Sequence, residues 1–179
     1  VRTADDTGSR TELRVVKYPS RFRTLLGAAA STRRERDAAG HTSERFEGVY
    51  AAGLSSQAER DAFAAAMALF RRHPDALVVH YSKYERTEYR KLAGKYPEVA
   101  GPDEIEELFS APRALDLYSD VVRPGSEWPT HDFSIKSLAK HCGFSWRDVD
   151  PSGASSIEWF DQWAKTGDPH LRQRLLDYN

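Results

Sequence analysis

In the stretch SSQAERDAFAAAMALFRR, Phe63, Met67 and Phe70 recur at i, i+4 and i+7, the spacing of one face of an α-helix. Ser56, followed three residues later by Glu59, forms a capping box, so the pattern predicts an amphipathic helix over 56–72. The period changes at ALVVHY, where Leu77, Val78 and Val79 follow a Pro74-Asp75 turn signal without a polar break. Such a run predicts a short strand over 77–81 covered on both faces, as parallel strands usually are. A second helix near 86–96 places Tyr89, Leu92, Ala93 and Tyr96 on one face. Upstream, TELRVVKY (11–18) and RFEGVYA (45–51) have strand composition. Between them, RFRTLLGAAA reads as weakly helical and STRRERDAAGHTSE as a mobile loop whose arginines keep it solvated.

The second half reads as helical. Pro102 with Asp103 and Glu104 starts one short helix, and Pro112 starts another through RALDLYSDVV. Ser134 caps IKSLAKHC, which Gly143 ends. Ser155 and Glu158 make a second capping box for IEWFDQWAKT, stopped by Gly167, and Asp168 with Pro169 restarts a helix after it. The expected fold class is therefore α/β. Strands near 12–18, 45–51 and 77–81 form one sheet, helices 56–72 and 86–96 pack on it, and the C-terminal half is helical.

With 179 residues, 40% hydrophobic and 30% charged, the chain is long enough to bury one core and has the size of one domain. A net charge of -1 gives no overall basic footprint, so any binding of nucleic acid must be local. Cys142 is the only cysteine, which excludes an internal disulfide and a cysteine-rich zinc site and fits a reducing cytoplasm. No apolar stretch approaches membrane-spanning length, and VRTADDTGSR lacks the apolar region of a signal peptide. The chain opens at Val1 in a polar stretch and stops in LLDYN within a helical pattern, so a piece of something longer is expected.

The motif inventory removes several enzyme classes: there is no Gly-rich phosphate loop, no H-E-x-x-H, no G-x-S-x-G and no Cys-x-x-Cys. The histidines at 41, 73, 80, 131, 141 and 170 show no short metal-ligand spacing and read as surface or packed residues. His80 stands apart because it shares the end of the 77–81 strand with Glu85. Chemistry in open α/β sheets collects at the carboxyl ends of strands. Glu85 is accordingly either a first-turn acid favoured by the dipole of the next helix or a group aimed at a bound cation. Trp128, Trp146, Trp159 and Trp163 could offer stacking surfaces for bases, but the i, i+4 spacing of Trp159 and Trp163 marks core or staple residues.

Two stretches, VVHYSKYERTEYRKLAGKYP and the segment from LDLYSDVV to the final LLDYN, carry H-Y-x-x-Y-E, D-L-Y, S-x-K-x-L, a tryptophan helix with T-G-D-P, and Y-N, in that order. Together they resemble the YprB-like RNase H-superfamily domain of RecB-like nucleases, over roughly residues 45–179; residues 1–44 match nothing in that pattern. The resemblance implies an RNase H-like (DnaQ-like) sheet and a DEDD-type 3′–5′ exonuclease. In such enzymes four carboxylates hold two magnesium or manganese ions that activate water and stabilise the leaving oxygen. It implies as substrate the 3′ end of single-stranded DNA or RNA, and as partners RecB-like nuclease or helicase domains. Carried over residue by residue, Glu85 takes the role of third acid and metal ligand, with His80, Tyr81 and Tyr84 beside it. Tyr178 takes that of the tyrosine that orients the attacking water, and Asp116 and Lys136 are supporting positions, Asp116 alternatively a helix cap.

The chain departs from that pattern at two places. No D-x-E precedes TELRVVKY, where the nearest acids are Asp5 and Asp6, and no acid follows Tyr178 before the chain stops at Asn179. The sheet's central first strand is therefore expected to be missing, leaving an open edge, and the fragment is expected to be inactive. The alternative is a non-catalytic module that docks nucleic acid or a partner domain.

Overall fold

The computed structural model describes residues 12–14, 29–36, 41–49, 51–125, 127–144 and 153–178. The helical period at 56–72 becomes helix α1 (Ser56–Arg72), which buries Phe63, Met67 and Phe70 as the spacing predicts, with Ala62, Ala66 and Leu69. Its cap lies one residue earlier than expected. Ser55, not Ser56, accepts the Ala58 amide at 3.1 Å. Glu59 does not close a capping box either. It turns inward, 1% exposed, and accepts the Tyr96 hydroxyl at 2.7 Å and Lys95 Nζ at 2.5 Å. A phenol and an ammonium compensate a buried carboxylate better than one backbone amide of its own helix.

Strand β4 (Leu77–His80) follows α1, and helix α2 (Tyr84–Lys95) starts two residues before the sequence pattern suggests. Helix α3 (Pro102–Leu108) begins at its proline. One core gathers Phe63, Met67 and Phe70 of α1, Val78 of β4, Tyr89, Leu92 and Ala93 of α2, Tyr96, and Ile105 and Leu108 of α3. Full burial of a side chain of this kind contributes about 1.5–3 kcal/mol, so these periodic positions hold the helices to the sheet.

The remaining strands are β1 (Glu12–Arg14), β2 (Ala29–Arg36), β3 (Thr42–Val49) and β5 (Ala114–Asp116), and the sheet order is β3-β2-β1-β4-β5. Strands β1, β4 and β5 run parallel, whereas β2 pairs antiparallel with both β1 and β3. The three expected strands do share one sheet, and two expectations are overturned. The arginine-rich segment is strand rather than mobile loop: β2 pairs with β3 from Ala29 opposite Val49 to Arg36 opposite Thr42, with Arg34 opposite Glu44. A continuous backbone ladder needs no apolar alternation to form. The central first strand is also present, because TELR itself fills it as β1, between β2 and β4; the sheet edges are β3 and β5.

Pro112 does not open a helix. Residues 114–116 add to β4 as β5, anchored by the Val78 amide on the Arg113 carbonyl at 2.8 Å, and a π-helical turn (Leu117–Val122) leads into the short α4 (Arg123–Gly125). Beyond it, Ser134 caps α5 (Ile135–His141) by accepting the Ser137 amide at 3.2 Å, and Gly143 follows at φ 83°. Helix α6 (Gly153–Thr166) begins before Ser155, which is therefore inside the helix and not its cap; Glu158 accepts from Gln162 instead. Asp168 caps α7 (Pro169–Tyr178) as expected, its Oδ1 accepting the His170 amide at 2.8 Å. Trp159, Phe160 and Leu175 pack with Ala51 and Ala62 in a second cluster, and the Arg174 guanidinium lies 4.0 Å from the centre of the Trp159 ring. Trp159 is thus a core residue, as its spacing implies. Among the described residues no helix is long and apolar enough to cross a membrane.

Candidate functional site

The parallel registers bring separate parts of the chain to one sheet edge. His80 ends β4 directly opposite Asp116, which ends β5. The chain leaves β4 through Tyr81 and Ser82, and α2 begins two residues later. Ser82 has φ 67°, a left-handed conformation that costs a non-glycine residue about 1 kcal/mol or more. Both of its backbone groups are held: its amide donates to Asp116 Oδ1 at 2.6 Å, and its carbonyl lies 2.8 Å from His80 Nδ1, which donates to it. The His80 ring meets Phe109 edge-on at 5.4 Å and is 6% exposed, which fixes the imidazole in place.

Asp116 is engaged on both oxygens. Oδ1 also accepts the Tyr118 amide at 3.0 Å and the Ser119 amide at 3.4 Å, and Oδ2 accepts the Ser119 hydroxyl at 2.8 Å. Burial alone would raise the pKa of this carboxyl. The hydrogen bonds from Ser119 and the Ser82 amide, with His80 close by, outweigh burial and hold it below the usual carboxylate value. Of the two readings open for Asp116, the geometry is that of a cap and tether. Ser82, Ser119 and Asp120, whose carboxylate accepts the Asp116 amide at 3.0 Å, were not singled out in the sequence. The one available signal was serine three residues after the aspartate in D-L-Y-S, the spacing of an N-cap.

Glu85 lies in the first turn of α2 and is 4% exposed. It satisfies the first-turn reading, yet a first-turn acid on a solvated face would not be buried. One turn on, the Tyr89 hydroxyl is buried and makes no hydrogen bond with a described residue. Burial, with the negative charge of Glu85, pushes the Tyr89 phenol well above its usual pKa. Its ring stacks edge-on against Phe63 and Phe70.

Tyr81 reaches away from β4: its hydroxyl donates to the Phe133 carbonyl and its ring lies 5.6 Å from that of Tyr118. Burial first, then Tyr118, Asp116 and Asp132, raise its pKa. Tyr84 opens α2 half-buried, and Lys136 lies exposed on α5. The structure thus gathers His80, Tyr81, Tyr84, Glu85 and Asp116 around one strand end. The resemblance also implies that Tyr178 approaches Glu85; Tyr178 is the last residue of α7, and its side chain, and with it that approach, lies outside what is described, as do Asp5, Asp6 and Trp146.

Two divalent ions about 4 Å apart need several carboxylates between them. Among the described residues no group of three or more His, Cys, Asp or Glu side chains is placed to hold a metal ion. Asp116 already holds Ser82, Tyr118 and Ser119, and the described residues do not make up a two-metal site.

A mixed sheet with its first strand at the centre, helices on it and an acid beyond a parallel strand defines an α/β domain of the RNase H-like class. Residues 38–179 match the family described as the RNase H superfamily, and the chain belongs to that superfamily. Such domains process nucleic acid as nucleases, generally with divalent metals. Searches of curated proteins and of solved structures found no match.

Proposed function

We propose that this domain serves metal-dependent hydrolysis of phosphodiester bonds at the 3′ end of single-stranded DNA or RNA, with Glu85 as a metal ligand. The supporting observation is a glutamate 4% exposed in the first turn of α2, beyond the carboxyl end of the parallel strand β4. Ligand chemistry in open α/β sheets collects beyond the carboxyl ends of such strands. Oxygen ligands suit magnesium or manganese. In this reading Tyr178 orients water, the remaining acids come from outside the described residues, and RecB-like nuclease or helicase domains act alongside. Lys136 is a supporting residue.

The test is degradation of end-labelled oligonucleotides with magnesium or manganese, and with EDTA as control. It compares the 179-residue chain with the same chain extended by the sequence that flanks it in its gene, each with and without Glu85→Gln. EDTA-sensitive shortening from the 3′ end, abolished by Glu85→Gln, supports the reading. The hydrogen-bonded state of Asp116 favours a second reading, a module that docks nucleic acid or a partner without cleaving; binding without cleavage in every form would establish that one.

A further inference from the structure

Two aromatic rings stand together at the end of the parallel strands. Tyr81 follows β4, Tyr118 lies in the π-helical turn after β5, and their ring centres are 5.6 Å apart with the planes inclined at 58°. One oxygen sets that spacing: Asp116 Oδ1 accepts the amide of Ser82, next to Tyr81, at 2.6 Å and the amide of Tyr118 itself at 3.0 Å. The Tyr81 hydroxyl donates to the Phe133 carbonyl, so this ring is tied at its far end as well. Both tyrosines stay half-buried and neither belongs to the core cluster, so the pair faces partly outward. Asp116 and Asp132 act on the Tyr81 hydroxyl, adding to burial in raising its pKa.

We propose that the Tyr81 and Tyr118 rings seat the 3′-terminal base of a single nucleic-acid strand, with Asp116 as the residue that positions both. Ligands of open α/β sheets gather beyond the carboxyl ends of the strands, where the two rings lie. Stacking on an aromatic ring accepts any base, because every base has a π face, and rings held in place in advance need little ordering when a base arrives. The carboxylates near the Tyr81 hydroxyl repel a phosphate, so the neutral base is the part of a nucleotide that fits there. The same carboxylates make a poor rim for an apolar protein side chain. The pair also adjoins the candidate site, since Tyr81 comes four residues before Glu85 in the link from β4 to α2. The inference rests on the proposed function for its substrate and adds the residues that would hold the end of that substrate.

The experiment titrates the 179-residue chain, in EDTA, into oligothymidylates that carry 2-aminopurine at the 3′ end, the centre or the 5′ end; the emission of this base falls when it stacks. Binding should quench the 3′-terminal probe and leave the other two nearly unchanged. Tyr118→Leu, which keeps an apolar side chain and loses the aromatic face, should weaken binding about fivefold or more and abolish the quenching, whereas Tyr118→Phe should keep both. Lys165→Gln on α6, whose lysine pairs with Asp161, should change neither. Melting temperatures within a few degrees of the parent exclude misfolding of the variants, and the comparison of probe positions decides without any variant. Equal quenching at all three positions, parental affinity and quenching in Tyr118→Leu, or no binding by the parent chain would overturn the proposal. Hydrolysis from the 3′ end that survives Tyr118→Leu with an unchanged KM would overturn the base seat and leave the proposed hydrolysis standing. Quenching confined to the 3′ end, without cleavage by any form of the protein, would do the reverse.

Discussion

Asp116 Oδ1 accepts the Ser82 amide at 2.6 Å, joining the end of β5 to the turn that leaves β4. The same carboxylate caps the π-helical turn that follows. Asp116→Ala removes both at once and should destabilise the fold by about 1–3 kcal/mol, whereas Asp116→Asn keeps an acceptor oxygen and should cost less. Urea denaturation of the two variants checks the order.

A pH titration of stability should show the same group. The folded pKa of Asp116 is depressed, so its contribution is complete above the unfolded value of about 3.9 and is lost as pH falls through the lower folded value. In Asp116→Asn the acid limb of the stability curve should be shallower; an unchanged limb would contradict the assignment.

Glu106 receives Arg86 and Arg90 together, Arg90 Nη2 donating at 2.7 Å, and these hydrogen bonds, Arg90's first, hold its carboxyl down to about 2. Its side chain is 40% exposed, so solvent screening limits the benefit. Glu106→Gln should cost no more than about 1 kcal/mol, and the difference should shrink at high salt. Its pH dependence has the same sign as that of Asp116, with loss on acidification between the unfolded value of about 4.3 and the folded one.

Glu59 is a different case because it is buried. In Glu59→Ala the Tyr96 hydroxyl still has the Ser56 carbonyl at 2.9 Å to donate to, and Lys95 is exposed enough to find water. The expected loss is about 1–3 kcal/mol, the greater part from the vacated volume and the lost charge-assisted bonds. Thermal unfolding of Glu59→Ala beside Glu106→Gln should rank the buried acid well above the exposed one.

For activity, the 179-residue chain should show little magnesium- or manganese-dependent degradation of single-stranded DNA or RNA, since two ions need several carboxylates and the described residues place no group of three or more His, Cys, Asp or Glu side chains to hold one. Robust EDTA-sensitive cleavage by the chain would mean that residues outside those described, Asp5 or Asp6 among them, complete a site. Full activity of Glu85→Gln in an active, longer protein would show that the third acid had been assigned to the wrong residue.

Legibility in the sequence followed the strength of local signals. Phe63, Met67 and Phe70 marked α1 because three apolar residues on one face leave no other period, and Ser134 and Asp168 marked helix starts because a cap is a contact between near neighbours. The β2 strand was hidden because Ser31 to Arg36 contains no apolar residue; its order comes from a ladder with β3 that composition does not encode. A three-residue strand such as β5 is shorter than any period. Glu59 read as a capping residue because Tyr96 and Lys95, its actual partners, come from another helix and its end. At the candidate site, H-Y-x-x-Y-E exposed Glu85 as unusual, but the meeting of His80 with Asp116 depends on the parallel register of β4 and β5. No spacing within either segment contains it.

The place of β1 has a practical consequence for anyone who would excise this domain. The superfamily match begins at residue 38, after both β1 and β2, yet β1 bonds to β4 over Glu12–Leu77, Leu13–Val78 and Arg14–Val79. A fragment cut to the matched residues would strip β3 of its partner among the described strands and bare one side of β4, leaving two strand borders ready to pair with other copies. Expressed alone, residues 38–179 should aggregate or fail to melt cooperatively where residues 1–179 do neither, as light scattering and calorimetry would record. The stretch over which family likeness is detectable is narrower than the sheet it belongs to.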